Sequence, residues 1–499
     1  MANSIVSEAA SIPGAASKPK KTKNGNTGKL PAKPVLQVAK KKEVEALKVE
    51  TLQQLLTMLP EGVEFGAKLE DGSHKKPTQK DYLVKTIRIL LRIVENNNIG
   101  LCSHNEQIYL FKGSHWKAIS SNDFEKFLCQ AAIKMGVEST TAEIYGFKKQ
   151  LVKQFLSTAN LTTPKRLNKC TLINLRNGTY QVCADNSSLR SVAKEDFLTY
   201  QLPFDYDPKA EAPEFMKYLN KVLPEKELQT ALAEFMGYVF AKDLKLEKCL
   251  LLYGSGANGK SVFFEIINAL LGKDNVSNFS LSDLNKEYNR AQIADKLLNY
   301  GSEINKSIEG DRFKQLASGE PTQARMKYKN AVTITDYARL MFNCNELPST
   351  AEQTEAYFRR FLIIPFKVTI KEGERDATLA QRIIEKELSG VFNWMLKGLK
   401  SILKNQRFVE SKVISDILKT YKEESDTVFQ FIKDFSYSPS KNQKQTFIEV
   451  YGAYTDYCQN YGFRRLTSIA FSKKMREHKF ETHRGTGGIK EIYIEVKKV

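Results

Sequence analysis

The chain contains no C-x-x-C pair, and its seven cysteines are scattered at positions 102, 129, 170, 183, 249, 344 and 458. That spacing excludes the usual structural zinc frameworks and reads as reduced thiols of an intracellular protein. No apolar run approaches the ~18 residues that span a bilayer. The N-terminal stretch MANSIVSEAASIPGAASKPKKTK lacks the apolar core and cleavage site of a secretory signal. The expectation is a soluble protein with no membrane partner. Acid is in deficit: 57 Asp and Glu face 76 Lys and Arg, for a net charge of +19. Such a surplus points to a polyanionic partner, nucleic acid or a membrane surface. There is no internal repeat of solenoid type.

What is present supports several domains. The 499 residues exceed one ordinary domain, and 41% hydrophobic content is enough for real cores. Residues 1–45 are rich in Lys, Ala, Ser, Gly and Pro and almost without aromatics, which reads as a disordered basic tail. Its Lys18, Lys20, Lys21 and Lys23 would touch DNA phosphates, serve as a nuclear address or merely solubilise. Residues 43–59 have helical apolar spacing. From 46 to 170 the pattern is an α+β accessory domain, with QIYLFKGSHWKAI as a hairpin and SNDFEKFLCQAAIKMG as a capped helix. TLINLRNGTYQV is a second hairpin with Asn177-Gly178 as its turn, and it opens a largely helical segment over 171–242. Over 243–370 apolar strands alternate with helices, the pattern of an α/β sheet with crossover helices. Residues 371–425 are helical. Residues 426–499 pass from helix-type segments to a hairpin with Gly485, Gly487 and Gly488 near its tip.

The most informative stretch is CLLLYGSGANGKSVFFEII. Gly254, Ser255, Gly256, Ala257, Asn258, Gly259, Lys260 and Ser261 fit G-x-x-x-x-G-K-[ST]. Glycines let backbone N–H groups turn onto phosphate oxygens, the Lys neutralises the outer phosphates and the Ser hydroxyl holds Mg²⁺. The helix that follows points its positive end at the anion. An apolar strand before and a helix behind give the motif its required context. An NTPase also needs an acid on the metal side and a group that orients water. KLLNYGSEI ends in Glu303, where such an acid belongs, and RLMFNCNELP ends in Asn345, which suits the γ-phosphate or the water. Arg359 and Arg360 precede the strand FLIIPF and could reach a phosphate across a subunit boundary. Each alone has a plainer reading: a strand-end Glu, a turn-forming Asn, a solvated Arg pair.

Taken in order, SGxxxxGKS, SEI, KQLASGEPTQARMKYKN, FNCNELP and FRRFLIIPF resemble the superfamily 3 helicases, specifically the C-terminal helicase part of the phage/plasmid primase-helicase family, related to poxvirus-type helicase-primases. The resemblance covers about 170 to 499. It implies a P-loop, AAA+-like core with ATP and Mg²⁺ as cofactors. Lys260 and Ser261 would be the Walker A pair, Glu303 the Walker B acid, Asn345 sensor 1, and Arg360 or Arg359 the arginine finger. Ser261 and Glu303 would attend the metal. Lys314, Gly319 and Glu320 match the motif between Walker B and sensor 1. Arg325, Lys327, Tyr328 and Lys329 would lie on a hairpin in the pore of a ring, where cations meet phosphates and an aromatic stacks on a base. The family often carries two adjacent acids in Walker B. Here Ser302 precedes Glu303, so Glu303 serves both metal and water or another acid such as Asp295 helps. The first 170 residues show neither the paired carboxylates nor the zinc motif of a primase domain, so primer synthesis is not expected.

The C-terminal order, helix, helix, hairpin, matches a winged helix. Lys473, Lys474 and Arg476 would sit on its second helix to meet DNA, with Arg484 and Lys490 flanking the wing. A protein-docking wing is the alternative. His478 and His483 lack a third metal ligand and read as surface residues. The leading expectation is an ATP-dependent replicative DNA helicase of a phage, plasmid or integrated element. It would act on single-stranded and forked DNA as a homo-hexameric ring moving 3′ to 5′, beside a separate primase or initiator. An origin-melting initiator without processive unwinding is the rival, and a P-loop kinase of small molecules is a third reading disfavoured by the basic charge.

Overall fold

The computed structural model describes residues 52–496 except 69, 71, 73, 105, 160–169, 184–185, 302–303, 305–309, 327–330 and 349–353. The basic tail and its four lysines lie outside the described residues. The first module contains α1 (Leu52–Thr57), α2 (Gln79–Asn96), strands β1 (Leu101–His104), β2 (Gln107–Phe111) and β3 (Trp116–Ile119), then α3 (Ser121–Lys134), α4 (Ser139–Ala142) and α5 (Tyr145–Thr158). α2 starts at a reciprocal cap: the Thr78 hydroxyl accepts the Asp81 N–H, and the Asp81 carboxylate accepts the Thr78 N–H at 2.8 Å. The Ser120 hydroxyl caps α3 in the same way. The expected hairpin is β2–β3, turning near Gly113 at φ +80°, and β1 adds a third antiparallel strand. Leu90, Phe124, Leu128, Leu151 and Phe155 close a core belonging to this module alone.

β4 (Cys170–Leu175), β5 (Gly178–Cys183) and β6 (Ser187–Arg190) form an antiparallel sheet. Leu175 pairs with Gly178, so the two-residue turn is Arg176-Asn177, one position before the expected Asn177-Gly178. Gly178 serves close approach instead: at φ +145°, an added Cβ would stand 2.5 Å from the Arg190 carbonyl oxygen of β6. Asn177 exchanges hydrogen bonds of 2.9 Å with the N–H and carbonyl of Tyr206. The same register sets Cys170 against Cys183, and the two are joined as a disulfide. The expectation of seven reduced thiols fails for this pair, because a hairpin brings residues 13 apart into direct opposition. The other five thiols are free and buried.

α6 (Pro213–Val222) and α7 (Lys226–Tyr238) lead into β7 (Cys249–Tyr253), α8 (Lys260–Leu271), β8 (Val276–Ser277), α9 (Glu287–Gln292), β9 (Leu298–Gly301) and α10 (Gly310–Ser318). A hairpin of β10 (Thr322–Arg325) and β11 (Ala331–Ile334) precedes β12 (Arg339–Cys344), α11 (Glu355–Phe358) and β13 (Phe361–Pro365). Among the described residues the central sheet is wholly parallel, in the order β13-β7-β12-β9-β8. This confirms a mixed α/β architecture. β7 is apolar at consecutive positions because both of its faces are covered. Leu250 and Leu252 enter one core, with α6, α7 and α8; Cys249 and Leu251 enter the other, with Phe313, Tyr357 and Tyr421.

After the sheet come α12 (Leu379–Lys386), α13 (Leu388–Asn405) and α14 (Lys412–Ser425). They fold back on the segment before the sheet. The Glu387 carboxylate accepts the Glu214 and Phe215 N–H groups at 3.0 and 2.9 Å, so α6 borrows its N-terminal cap from a residue 173 positions away. α15 (Thr427–Asp434), β14 (Tyr437–Thr446), α16 (Phe447–Asn460), α17 (Ser468–Glu477), β15 (Thr482–Arg484) and β16 (Lys490–Val496) then close a separate core around Phe431, Tyr454 and Phe471. The expected helix, helix, hairpin order is α16, α17, β15–β16. β14 pairs with β16 as a further strand where helix-type sequence was expected, since SPSKNQKQT carries no apolar alternation to announce a strand.

Glycines at their contact let α7 and α13 lie close together. A Cβ on Gly398 would stand 2.1 Å from the Ala233 carbonyl, and one on Gly237 would stand 2.4 Å from the Leu399 nitrogen. Both neighbours are backbone and cannot turn aside. Gly398→Ala is therefore expected to cost about 2 kcal/mol by overpacking. Gly373→Ala, with nothing within 4 Å, is expected to be neutral. Thermal unfolding of the two variants beside wild type checks this.

Candidate functional site

The turn between β7 and α8 places three residues in the left-handed region, Gly256 at φ +105°, Ala257 at +48° and Gly259 at +86°. Such a turn directs successive N–H groups to one side, the geometry of an anion cradle. Neighbouring strands hold it. The Gly254 N–H donates to the Cys344 carbonyl at the end of β12 (3.0 Å), and the buried Asn258 amide donates to the Phe366 carbonyl after β13 (3.2 Å). The Ile370 N–H donates to the Ala257 carbonyl (2.7 Å), and the Tyr218 hydroxyl of α6 donates to the Gly259 carbonyl (2.8 Å). A side chain on Gly254 would meet the Asn258 amide at 2.2 Å, and one on Gly259 would meet Val222 at 2.8 Å.

Lys260 is only 6% exposed. Its ammonium donates to the Gly254 carbonyl at 2.5 Å and to the Asn345 amide oxygen at 3.4 Å. Burial holds its pKa below the usual lysine value. A desolvated cation against two neutral acceptors gains strongly from an arriving anion. Asn345, just past β12, and Ser261, in the first turn of α8, line the same cavity of about 950 Å³. Ser302 and Glu303 lie outside the described residues. Gly301 before them closes β9, and Ile304 after them lines the cavity.

Asp295 cannot assist there. It precedes β9, at the end of the strand remote from the cavity, and accepts the Tyr109 hydroxyl of β2 at 3.0 Å. Burial keeps its carboxyl above the usual range. Lys314 and Glu320 line a second depression of about 650 Å³ with Asp311, which pairs with Lys314 at 2.8 Å; Gly319 stands between them at φ +67°.

The two arginines differ. Arg360 is 7% exposed and donates to the Ser318 hydroxyl at 3.0 and 2.9 Å and to the Ala356 carbonyl. The Arg359 side chain is 54% exposed and pairs with Glu247 at 2.7 Å. Neither lines the cavity of its own chain. At the base of the β10–β11 hairpin, Arg325 is half-exposed and pairs with Glu287 at 3.4 Å. Lys327, Tyr328 and Lys329 lie outside the described residues.

On α17, Lys473 and Arg476 are exposed, but Lys474 is drawn inward to Asp426 (3.2 Å) and Glu477 (3.1 Å). Sequence spacing gives no sign of this partner, which sits 48 residues earlier at the junction of α14 and α15. Asp426 also accepts His478 Nε2 at 3.0 Å and the N–H groups of Val428 and Phe429. Arg484 is exposed, and Lys490 lies 4.1 Å above the Phe447 ring and donates to the Ser472 hydroxyl. The reading from motifs missed the outer wall of the cavity: Tyr218, Lys221 and Val222 of α6, and Ile370, Glu374 and Leu379 after β13. These types have no signature and become neighbours only through the fold.

Residues 88–224 match a family model described as D5 N terminal like, and 252–360 match a family of unknown function, DUF5906. The D5-type match crosses position 170, and the structure interlocks there: the Trp116 indole donates to the Lys194 carbonyl at 2.7 Å and the Asn174 amide to the Ser114 carbonyl at 2.7 Å. The chain is 25% identical over 299 residues to Putative helicase 184R of Invertebrate iridescent virus 6, covering 54% of this chain and 28% of that protein. It is 23% identical over 235 residues to Putative helicase 121R of Invertebrate iridescent virus 3 (44% and 25%). It is 22% identical over 295 residues to Putative helicase L207/L206 of Acanthamoeba polyphaga mimivirus (53% and 30%). The chain thus spans between a quarter and a third of the length of these relatives. A solved structure of the NrS-1 C terminal region aligns with 83% of this chain and 99% of its own at 14% identity and a TM-score of 0.44. The motif string and the viral relatives agree on similarity to helicase-named viral proteins. Among the described residues no helix is long and apolar enough to cross a membrane.

The Asp426 cluster yields a pH test. Burial raises the Asp426 pKa, but His478, Lys474 and the backbone donors outweigh it, and the carboxyl ends below its ordinary value. A depressed folded pKa adds stability that is present above the unfolded value, near 4, and lost as pH falls through the folded one. Asp426→Asn should therefore lower the melting temperature at pH 7, at a cost of about 2 kcal/mol. The gap to wild type should narrow as pH drops below about 4. Paired thermal melts across that range check it.

Proposed function

We propose that this chain is the motor portion of an ATP-driven DNA helicase of the superfamily 3 kind, from a virus, phage, plasmid or integrated element. The observation that carries the reading is the anion cradle after β7, with the desolvated Lys260 facing Asn345 across a cavity of about 950 Å³. The residues fit a magnesium-bound nucleoside triphosphate. The left-handed turn offers N–H groups, Lys260 offers a cation whose only printed acceptors are neutral oxygens, and Ser261 offers a hydroxyl on the same wall. Magnesium, when bound, would neutralise phosphate charge, with Ser261 and Glu303 as its protein-side partners.

In this reading Lys260 leaves the Gly254 carbonyl and Asn345 for the outer phosphates, and Asn345 then holds the γ-phosphate or the attacking water. Glu303 takes the proton of that water. The arginine finger comes from a neighbouring copy in a ring, probed through its exposure: Arg359 is half-exposed and restrained by one ion pair, whereas Arg360 is consumed inside its own chain. The β10–β11 hairpin carries Arg325 and the segment Lys327, Tyr328, Lys329 toward a single strand, and movement 3′ to 5′ follows the resemblance. The exposed Lys473 and Arg476 support duplex contact by a winged helix, which also suits the initiator reading.

The test is strand separation on a 3′-tailed DNA fork with Mg²⁺-ATP, comparing wild type with Lys260→Ala. Unwinding by wild type alone is expected. ATP hydrolysis by folded wild type without strand separation would sink the motor reading in favour of the initiator. Arg359→Ala mixed into wild type should depress hydrolysis more steeply than its mole fraction if the finger acts between copies.

A further inference from the structure

The phosphate-binding half of the cavity accounts for only part of its lining. Beyond Lys260, Ser261 and Asn345, the walls are Val222 of α6, Val262 of α8, and Ile370 and Leu379 from the segment after β13. These four are aliphatic, and none has a partner role in the phosphate cradle. The two walls are fixed to the outer side of the turn by the hydrogen bonds already given, from Tyr218 to Gly259 and from Ile370 to Ala257. At the rim an ion pair bridges them: the Lys221 ammonium meets the Glu374 carboxylate at 2.7 Å. Both partners are about half-exposed, so the pair contributes little energy by itself. Its effect is positional, since it links α6, before the cradle in sequence, to the segment that follows the sheet. Asp376, nearby on the rim, is already committed to the Thr378 N–H and to Arg382, which hold its carboxyl far below the ordinary range.

We propose that this outer end is a nucleoside subsite. The base of a bound nucleoside triphosphate lies between Val222 and Val262 on one side and Ile370 and Leu379 on the other, with the Lys221–Glu374 pair closing over it. A flat, poorly hydrated base gains from leaving water for an aliphatic slot, whereas a bare polyphosphate gains nothing there. The volume, about 950 Å³, lies at the upper end of the range for small-molecule sites and leaves room beyond a triphosphate. This inference rests on the nucleotide reading above and adds the part of the ligand that the glycine-rich motif does not specify. A bound base would touch both walls at once, so loading would tie the segment before the sheet to the one after it.

Calorimetric titration of the full chain with Mg²⁺-ATP and, separately, Mg²⁺-tripolyphosphate separates the two ideas. ATP is expected to bind at least tenfold more tightly, a difference of about 1.4 kcal/mol. Leu379→Ala should shrink that ratio about fivefold and leave tripolyphosphate affinity unchanged, which also shows that the variant is folded. Photolabelling with 8-azido-ATP, displaceable by ATP, should mark peptides within 213–224 and 367–382. Equal affinity for ATP and tripolyphosphate, or label recovered only elsewhere, overturns the subsite while the phosphate cradle stands. If neither ligand binds, the nucleotide reading itself fails, and this inference with it.

Discussion

A strand buried on both faces can offer chemistry only at its ends, and β7 is such a strand. Its side chains alternate between two cores, so neither face meets solvent. The turn that follows must therefore find its supports among the neighbouring strand ends. Gly254 is tied to Cys344 at the end of β12, while Tyr253 and Asn258 are tied to Phe366 just past β13. The order β13-β7-β12 thus shapes the cradle: both neighbours of β7 in the sheet are the elements that fix the turn. The left-handed conformations at Gly256, Ala257 and Gly259 are tolerable because this surround over-determines them.

What was legible in the sequence was local. An apolar run, a glycine-rich octet and a helix lie within 20 residues, and their geometry follows from backbone preferences that any reader can apply. Asn345 was legible because a strand that ends in an amide before Pro348 is unusual enough to notice. What stayed hidden was long-range. The Cys170–Cys183 opposition depends on a turn placed at Arg176-Asn177, one residue from where Asn-Gly statistics put it. The rejection of Asp295 depends on which end of β9 faces the cavity, and the aliphatic outer wall draws on α6 and Leu379, more than 150 residues apart in sequence. β14 was missed because its polar residues pair at the margin of a sheet, where periodicity is weak.

Net charge proved a coarser guide than position. Several cations behind the +19 are used up inside the fold. Arg290 donates to three backbone carbonyls, those of Gln323, Leu284 and Asn285, and so clamps the base of the β10–β11 hairpin. Arg339 donates to the carbonyls of Ala241, Lys242 and Leu244 and sits 3.9 Å from the Tyr238 ring centroid. Arg360 and Lys474 are similarly engaged. The charge available to a polyanion is carried instead by exposed positions such as Lys473, Arg476 and Arg484. A composition count cannot separate these populations, because a guanidinium that satisfies carbonyls and one that awaits a phosphate are the same letter.

The sheet also divides its labour by direction. Its C-terminal strand ends build the cavity, and its N-terminal ends receive the accessory module. Tyr109 of β2 donates to Asp295 ahead of β9, and the Asp295 N–H donates in turn to the Asp336 carbonyl ahead of β12. Lys242 joins the same cluster, donating to the carbonyls of Lys296 and Tyr337 at 2.8 Å while burial draws its pKa down against the pull of Asp336. The strands gripped at this end, β9 and β12, are the two whose opposite ends carry Gly301 and Asn345 toward the cavity. Four to six residues of strand separate the two clusters. A tightly packed parallel sheet is stiff along its strands. The accessory module is therefore attached where a displacement of the cavity-lining strand ends would be felt most directly, through hydrogen bonds and without a residue of its own in the cavity.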